Sequence, residues 1–163
     1  MLGLTQPRVA KAAAIRQSHL TYYFPTRSAL VAAVAAAVAQ GLIARFDAAF
    51  AAAKPGALAQ GLARIGLPDQ TRLLLSLVLA ADREKPVRAL FRALTKGVRA
   101  RIACGLSRHG IAADADAVAM FHALCVGLAV LDLARGEPAS RRELKTLTRL
   151  ALLRLEENGM RRS

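Results

Sequence analysis

Apolar residues recur at steps of three or four along most of the chain, which is the spacing of one face of an α-helix. Proline and glycine interrupt this pattern, for example at Pro25, Pro86 and Gly110. No stretch alternates apolar and polar residues as a strand does, and no segment is repeated. The sequence therefore predicts an all-α fold.

The interruptions divide the chain into predicted helices. Thr5 and Thr26 suit N-cap positions, and Pro25 ends the helix that precedes it. Asp114 or Asp116 opens a later helix, and Ser140 with Glu143 forms a predicted capping box. The predicted helices cover residues 6–13, 17–23, 27–53, 57–65 (weaker), 69–81, 87–106, 114–133 and 140–156.

Three of these patterns predict packing. The run 73–79 is apolar nearly all round, so its helix should be central and buried. The segment 87–106 carries one clean apolar stripe with cations mostly opposite. The stripe is Val87, Leu90, Phe91, Leu94, Val98, Ile102 and Leu106, and the cations are Arg88, Arg92, Lys96, Arg99 and Arg108. The helices at 116–133 and 140–156 have wide apolar faces, which favours a homodimer interface.

Charge adds a candidate partner. Lys and Arg total 24 against 11 Asp and Glu, giving a formal net charge of +13. No acid precedes Asp47, so residues 1–46 form a purely basic segment. Such a segment favours a polyanionic partner. The 55% hydrophobic content argues against a disordered chain, and the two cysteines argue against a disulfide scaffold.

Two short helices at this basic end fit a helix-turn-helix, whose second helix enters the major groove of DNA. Small apolar contacts from Val9, Ala10, Ala13, Ile15 and Leu20 would hold the pair together. The residues left to face outward are Arg16, Gln17, Ser18, His19 and Tyr22. Gln can pair bidentately with adenine and Arg with guanine.

Arg27 adds a second indication. A cation in the first turn of a helix is disfavoured by the helix dipole. A phosphate docked at that helix start would reverse the effect, because the helix N-terminus and Arg27 would both attract it. The hydroxyls of Tyr22 and Tyr23 can reach phosphate oxygens as well.

Residues 4–30 resemble the DNA-binding segment of tetracycline-repressor (TetR) family regulators, most specifically in residues 20–27, Leu-Thr-Tyr-Tyr-Phe-Pro-Thr-Arg, followed by Leu30. The resemblance implies that Thr5 touches phosphate, that Gln17, Ser18 and His19 face bases, and that Tyr22, Tyr23 and Arg27 hold the DNA backbone. It also implies an all-α ligand-binding domain whose last two helices form the dimer, with Gly127-Leu128 inside the penultimate helix.

The segment departs from the family pattern at four points. Ala14 stands where the family usually has Gly, which predicts a negative φ there. Arg16 replaces a capping Ser or Thr, and Thr21 replaces a common Tyr. Only residues 1–4 precede Thr5, so the family's first helix has no counterpart and we expect the chain to begin one helix late.

The expected organisation is a DNA-binding segment at 1–46 and a ligand-binding and dimerisation domain at 47–163. The resemblance implies a pocket for a small apolar effector, although each lining residue could equally fill the core. The predicted lining is Phe50, Leu74, Val78, Phe91, Met120, Phe121 and His122.

The predicted function is a ligand-responsive transcriptional regulator, a cytoplasmic repressor that binds a pseudo-palindromic operator as a homodimer. Effector binding would tilt the helix that starts at Arg27 and change the half-site spacing. One alternative is a dimeric small-molecule-binding helical domain that has lost DNA binding through N-terminal truncation. Another is a basic helical protein attracted to anionic membranes.

Other chemistry is not indicated. His19, His109 and His122 lie far apart without ligands at metal spacing, and no phosphate loop or nucleophile motif occurs, so we expect no metal, no cofactor and no enzyme. The longest uncharged run, 28–44, is short of a membrane span, and no export signal is evident. Cys104 and Cys125 are therefore predicted to be reduced thiols in the core.

Overall fold

The computed structural model describes residues 5–51 and 68–160, with side chains described except at 49–51 and 158–160. Helices joined by short connections account for these ranges, which contain no strand, and the all-α prediction is confirmed. The helices are α1 Gln6–Ala12, α2 Gln17–Tyr23, α3 Arg27–Ala51, α4 Pro68–Arg83, α5 Lys85–Arg108, α6 Ala115–Arg135 and α7 Pro138–Met160. The predicted segment 57–65 lies outside the described residues.

Local signals account for several helix ends. The Thr26 hydroxyl accepts a hydrogen bond from the Ala29 amide at 3.1 Å, and the Asp114 carboxylate accepts one from the Ala117 amide at 2.8 Å. Gly136 ends α6 in the left-handed conformation at φ 63°. Thr5 occupies the N-cap position of α1 but makes no side-chain cap bond.

The helices group into two compact units. The first combines Met1–Gly41 with Leu73–Leu94, and the second combines Leu42–Arg72 with Thr95–Ser163. Each unit therefore draws on segments that are far apart in sequence. The functional boundary at residue 46 remains a prediction.

The apolar stripe of α5 is buried as predicted. Val87, Leu94, Val98, Ile102 and Leu106 are buried, and Leu90 and Phe91 are half-buried. The cations that lie opposite the stripe are exposed. Among them, the Arg88 guanidinium donates to the carbonyls of Ala81 and Asp82 at 3.0 and 2.7 Å. These two carbonyls lie in the last turn of α4, where helical hydrogen-bond partners run out.

The prediction that the apolar run of α4 is buried all round was wrong. Leu77 is fully buried, but Leu73, Val78 and Leu79 are exposed. A helix rotates by about 100° per residue, so the six apolar residues that flank Ser76 in the run 73–79 point in every direction. Only the side of α4 that carries Leu77, Ala80 and Ala81 is covered in the single chain.

The last two helices, both in the second unit, pack against each other through Leu128, Ala129, Leu144 and the half-buried Leu147. Each also leaves apolar side chains uncovered, as predicted. They are Met120, Leu124 and Leu131 on α6 and Leu150 and Leu153 on α7.

By length and composition alone, Arg27–Ala48 and Ala115–Arg135 could each cross a membrane. Core helices of soluble proteins pass the same test.

The predicted capping box at Ser140 was wrong. Helix α7 begins at Pro138, whose fixed φ suits a first helical position, so Ser140 lies inside the first turn. Its hydroxyl donates to Asp132 at 2.8 Å, and Glu143 pairs with Arg135. Asp132, which is buried on α6, also accepts from Arg141 at 2.7 Å.

Replacing Asp132 tests this linkage between α6 and α7. We expect Asp132→Ala to lower the free energy of unfolding by about 2–3 kcal/mol, because Arg141 and Ser140 lose a shared buried acceptor. Urea denaturation followed by circular dichroism measures the change. Glu143→Ala removes an exposed ion pair and should cost less than about 1 kcal/mol. Equal losses for the two variants would contradict the assignment.

The cysteines occupy different environments, so their shared prediction as core residues was wrong for one of them. Cys104 is exposed on α5. Burial raises the pKa of the Cys125 thiol on α6 to about 12, and a hydrogen bond with Thr148 on α7 opposes part of that shift. The thiolate is the reactive form, so the two thiols should differ in reactivity.

Thiol labelling tests this difference. At pH 8 we expect a disulfide reagent to modify one thiol per folded chain quickly and the second only in denaturant. Cys104→Ser should abolish the fast reaction, whereas Cys125→Ser should leave it in place. Two fast thiols in the folded wild-type chain would show that the contact between α6 and α7 is open at Cys125.

Candidate nucleic-acid interface

Helices α1 and α2 are held by one small apolar cluster in the first unit. Its buried members are Ala10, Leu20 and Leu30, and Val9, Phe24 and Val34 pack against them; we call these six residues the N-terminal cluster. Each of the two helices has only seven residues, too few to be stable alone. Their position therefore depends on Leu30 and Val34 of α3.

Two residues predicted to hold the pair together do not do so, since Ala13 and Ile15 are exposed. Helix α1 ends at Ala12, so the residues that follow leave its apolar face. Phe24 and Leu30 supply the contacts instead. The sequence contains one indication of these contacts, because Phe24 and Leu30 both lie in the segment that resembles the TetR family.

A hydrogen bond closes the other end of the pair. The Gln6 side-chain amide on α1 donates to the Phe24 carbonyl at the end of α2, at 2.5 Å. This carbonyl lies just past the last turn of α2, where helical partners run out. The bond therefore ties the first residue of α1 to the C-terminal end of α2.

The connection between the helices contains a strained residue. Ala14 has φ +54°, so the prediction of a negative φ was wrong. The Ile15 amide donates to the Ala10 carbonyl at 3.0 Å, and the Ala14 amide donates to the Lys11 carbonyl at 3.2 Å. This is the Schellman pattern, which requires a left-handed residue at the position of Ala14.

The end of α5 shows the same pattern with the residue type that normally serves it. There the Ile111 and Gly110 amides donate to the Leu106 and Ser107 carbonyls, and Gly110 has φ +75°. Gly110 has no Cβ to crowd the backbone, whereas Ala14 does. Ala14 is the one non-glycine residue with a positive φ in the described chain.

The surface of α2 around the buried Leu20 is exposed, as predicted. Tyr22 and Tyr23 are 79% and 64% exposed. The other exposed residues of this surface are Arg16, Gln17, Ser18 and His19. Arg16 is the N-cap residue and makes no side-chain cap bond, in agreement with the expected loss of a cap. An open surface depression is lined by Ile15, Arg16, Ser18 and His19.

The aromatic rings on this face contact one another. The centroids of His19 and Tyr23 lie 5.4 Å apart with a tilted geometry, and Tyr22 meets Tyr23 edge-on at 5.2 Å. Such contacts favour particular ring positions even at an exposed site. These ring contacts therefore restrict where the imidazole of His19 and the hydroxyls of Tyr22 and Tyr23 lie.

Arg27 is engaged by a residue that sequence reasoning missed. Its guanidinium donates to one carboxylate oxygen of Glu84 at 2.9 Å, and the Ser28 hydroxyl donates to the other at 2.8 Å. The carboxylate offsets the positive charge of Arg27 in the first turn of α3, so a cation at this position does not require a phosphate in the free protein. Glu84 follows Arg27 by 57 residues, so no local pattern indicated the pairing.

The predicted effector-pocket residues occupy varied environments. In the first unit, Leu74 and Phe91 are half-buried and Val78 is exposed. In the second, Met120 is 66% exposed, while Phe121 beside it is 1% exposed. These two neighbours therefore point in different directions on α6. The side chain of Phe50 lies outside the described ones.

His122 is the titratable residue of the predicted pocket. Its side chain is partly buried on α6, and this burial lowers the pKa of the imidazole, with a smaller contribution from the positive charge of Arg99. The neutral form is thereby favoured. A ligand beside His122 remains a prediction.

Comparison with known proteins adds no support to the TetR-family resemblance of residues 4–30, which depends on those residues alone. No protein-family model, curated protein or solved structure matched the chain.

Replacing Ala14 tests the strain at the connection. We expect Ala14→Gly to raise the free energy of unfolding by about 0.5–1 kcal/mol, because relief of the left-handed conformation outweighs the added flexibility of the unfolded chain. Chemical denaturation measures it. Ala93→Gly makes the same change at an exposed helical position of α5 and should destabilise by about 1 kcal/mol. A loss of stability in Ala14→Gly would refute the strain.

Proposed function

We propose that the chain is a sequence-reading, DNA-binding transcriptional regulator in which α1 and α2 act as a helix-turn-helix. The observation that carries this proposal is the division of α2. Leu20 anchors it in the N-terminal cluster, while its other residues from Arg16 to Tyr23, apart from the half-buried Thr21, are exposed. A short helix anchored by one buried residue and exposed over the rest of its surface suits insertion into the major groove.

The roles of the exposed residues follow from their chemistry and from the family resemblance. Gln17, Ser18 and His19 contact base edges near the start of α2. The backbone contacts come from Thr5, Tyr22, Tyr23 and Arg27, which position the protein without reading sequence. The absence of any acid before Asp47 supports this assignment, because repulsion from phosphate is minimal along the segment.

The proposal includes a homodimer, since two helix-turn-helix units read the two half-sites of a pseudo-palindrome. The uncovered apolar residues of α6 and α7 support an interface there, because burying them removes apolar surface from water. Regulation by a small apolar effector, and repression as its outcome, rest on the family resemblance alone.

Binding to selected duplexes tests the proposal. A preferred duplex is selected from a randomised pool, and its affinity is compared with that of random duplex at several salt concentrations. The chain and a version extended upstream in the same reading frame are both measured. If neither form prefers any duplex over random DNA, the proposal fails.

Two substitutions separate reading from positioning. We expect Gln17→Ala to weaken the binding free energy for the preferred duplex by about 1–3 kcal/mol and to change binding to random DNA little. Tyr22→Phe removes a hydroxyl that the proposal assigns to phosphate. It should weaken binding to both duplexes by about 1 kcal/mol. Lys96→Ala, at an exposed cation on α5 that has no part in either proposed interface, is the control and should leave the preference for the selected duplex unchanged. Equal effects of Gln17→Ala on both duplexes would contradict its assignment to base edges.

A further inference from the structure

Glu84 lies at a junction that fixes its backbone. It is the single residue between the end of α4 at Arg83 and the start of α5 at Lys85. Its amide donates to the Ala80 carbonyl at 2.9 Å, and its carbonyl accepts from the Arg88 amide at 3.0 Å. Both helices therefore set its backbone position.

The carboxylate of Glu84 meets two donors at the start of α3. Arg27 and Ser28 take one oxygen each, at 2.9 and 2.8 Å. The Glu84 side chain is only 19% exposed, whereas that of Arg27 is 56% exposed. The acid is thus enclosed at the contact, while the cation remains within reach of a solvent-side ligand.

Carboxylate and phosphate oxygens are alternative acceptors for the same guanidinium and hydroxyl donors. The proposed function assigns Arg27 to the DNA backbone, and Ser28 is a second donor beside it. A phosphate that binds there meets the negative charge of Glu84 at close range. The phosphate must therefore displace the carboxylate or share Arg27 with it at a cost in affinity.

We propose that Glu84 competes with the DNA backbone for Arg27 and Ser28. In the free protein the Glu84 carboxylate occupies both donors, and it thereby weakens the binding of the protein to duplex DNA. This inference rests on the proposed function. The contact makes binding dependent on the junction between α4 and α5, because any change that withdraws Glu84 frees Arg27 for phosphate.

The first test compares two substitutions that change the net charge equally. Glu84→Gln removes the competing charge and keeps the size of the side chain. Asp82→Asn alters an exposed acid two residues away. At fixed salt, we expect Glu84→Gln to bind the preferred duplex roughly two- to fivefold more tightly than Asp82→Asn, the range that one partly exposed ion pair supplies.

The second test repeats the pair of substitutions in a background that carries both Arg27→Ala and Ser28→Ala. The competition needs the carboxylate and its two donors, so Glu84→Gln and Asp82→Asn should then have equal effects on affinity. A persistent advantage of Glu84→Gln without these donors would overturn the inference, because the gain would then come from the general field and not from release of Arg27 and Ser28.

A measurement without DNA guards against loss of structure in the variant. In nitrogen NMR, rotation of the Arg27 guanidinium should be slower in the wild type and in Asp82→Asn than in Glu84→Gln. Equal rotation in all three would overturn the contact itself. Circular dichroism verifies that helix content is unchanged.

The outcomes for the two proposals are distinguishable. If wild type and variants select no duplex, the proposed function fails and this inference fails with it. If they select a duplex but Glu84→Gln binds no more tightly than Asp82→Asn, the inference alone is overturned. Weaker binding by Glu84→Gln would overturn it too, since the carboxylate would then support the binding geometry.

Discussion

The packing of two seven-residue helices onto α3 is the constraint on which the exposed face of α2 depends. So short a helix gains too few internal hydrogen bonds to offset the entropy of ordering its backbone. Leu20 and Ala10 must therefore stay buried against Leu30 for α1 and α2 to persist. The polar residues on the far side of α2 acquire a defined arrangement only because this contact holds the helix.

The same constraint explains the strain at Ala14. The chain has four residues, 13–16, in which to leave α1 and enter α2. The Schellman bonds satisfy the last carbonyls of α1, at the cost of one left-handed residue. Gly110 meets the equivalent demand after α5 without a Cβ. Alanine at position 14 therefore lowers stability but makes the unfolded chain less flexible than glycine would.

Charge has a different meaning along the chain and in space. The first 46 residues carry no acid, so their linear pattern indicates unopposed attraction to a polyanion. The fold nevertheless brings one acid, Glu84, to the start of α3, where it pairs with Arg27. A count of charges along the sequence therefore overstates how available that cation is in the free protein.

Features that depend on neighbouring residues could be predicted from the sequence. The bounds of α2 and the caps at Thr26 and Asp114 follow from contacts within a turn or two, and the spacing of apolar residues in α5 identifies which of its sides is buried. The partner of Ser140, the φ of Ala14 and the pairing of Arg27 with Glu84 became known only from the fold. These depend on how helices meet or on how tightly the chain must turn between them, and helical periodicity carries no information about either.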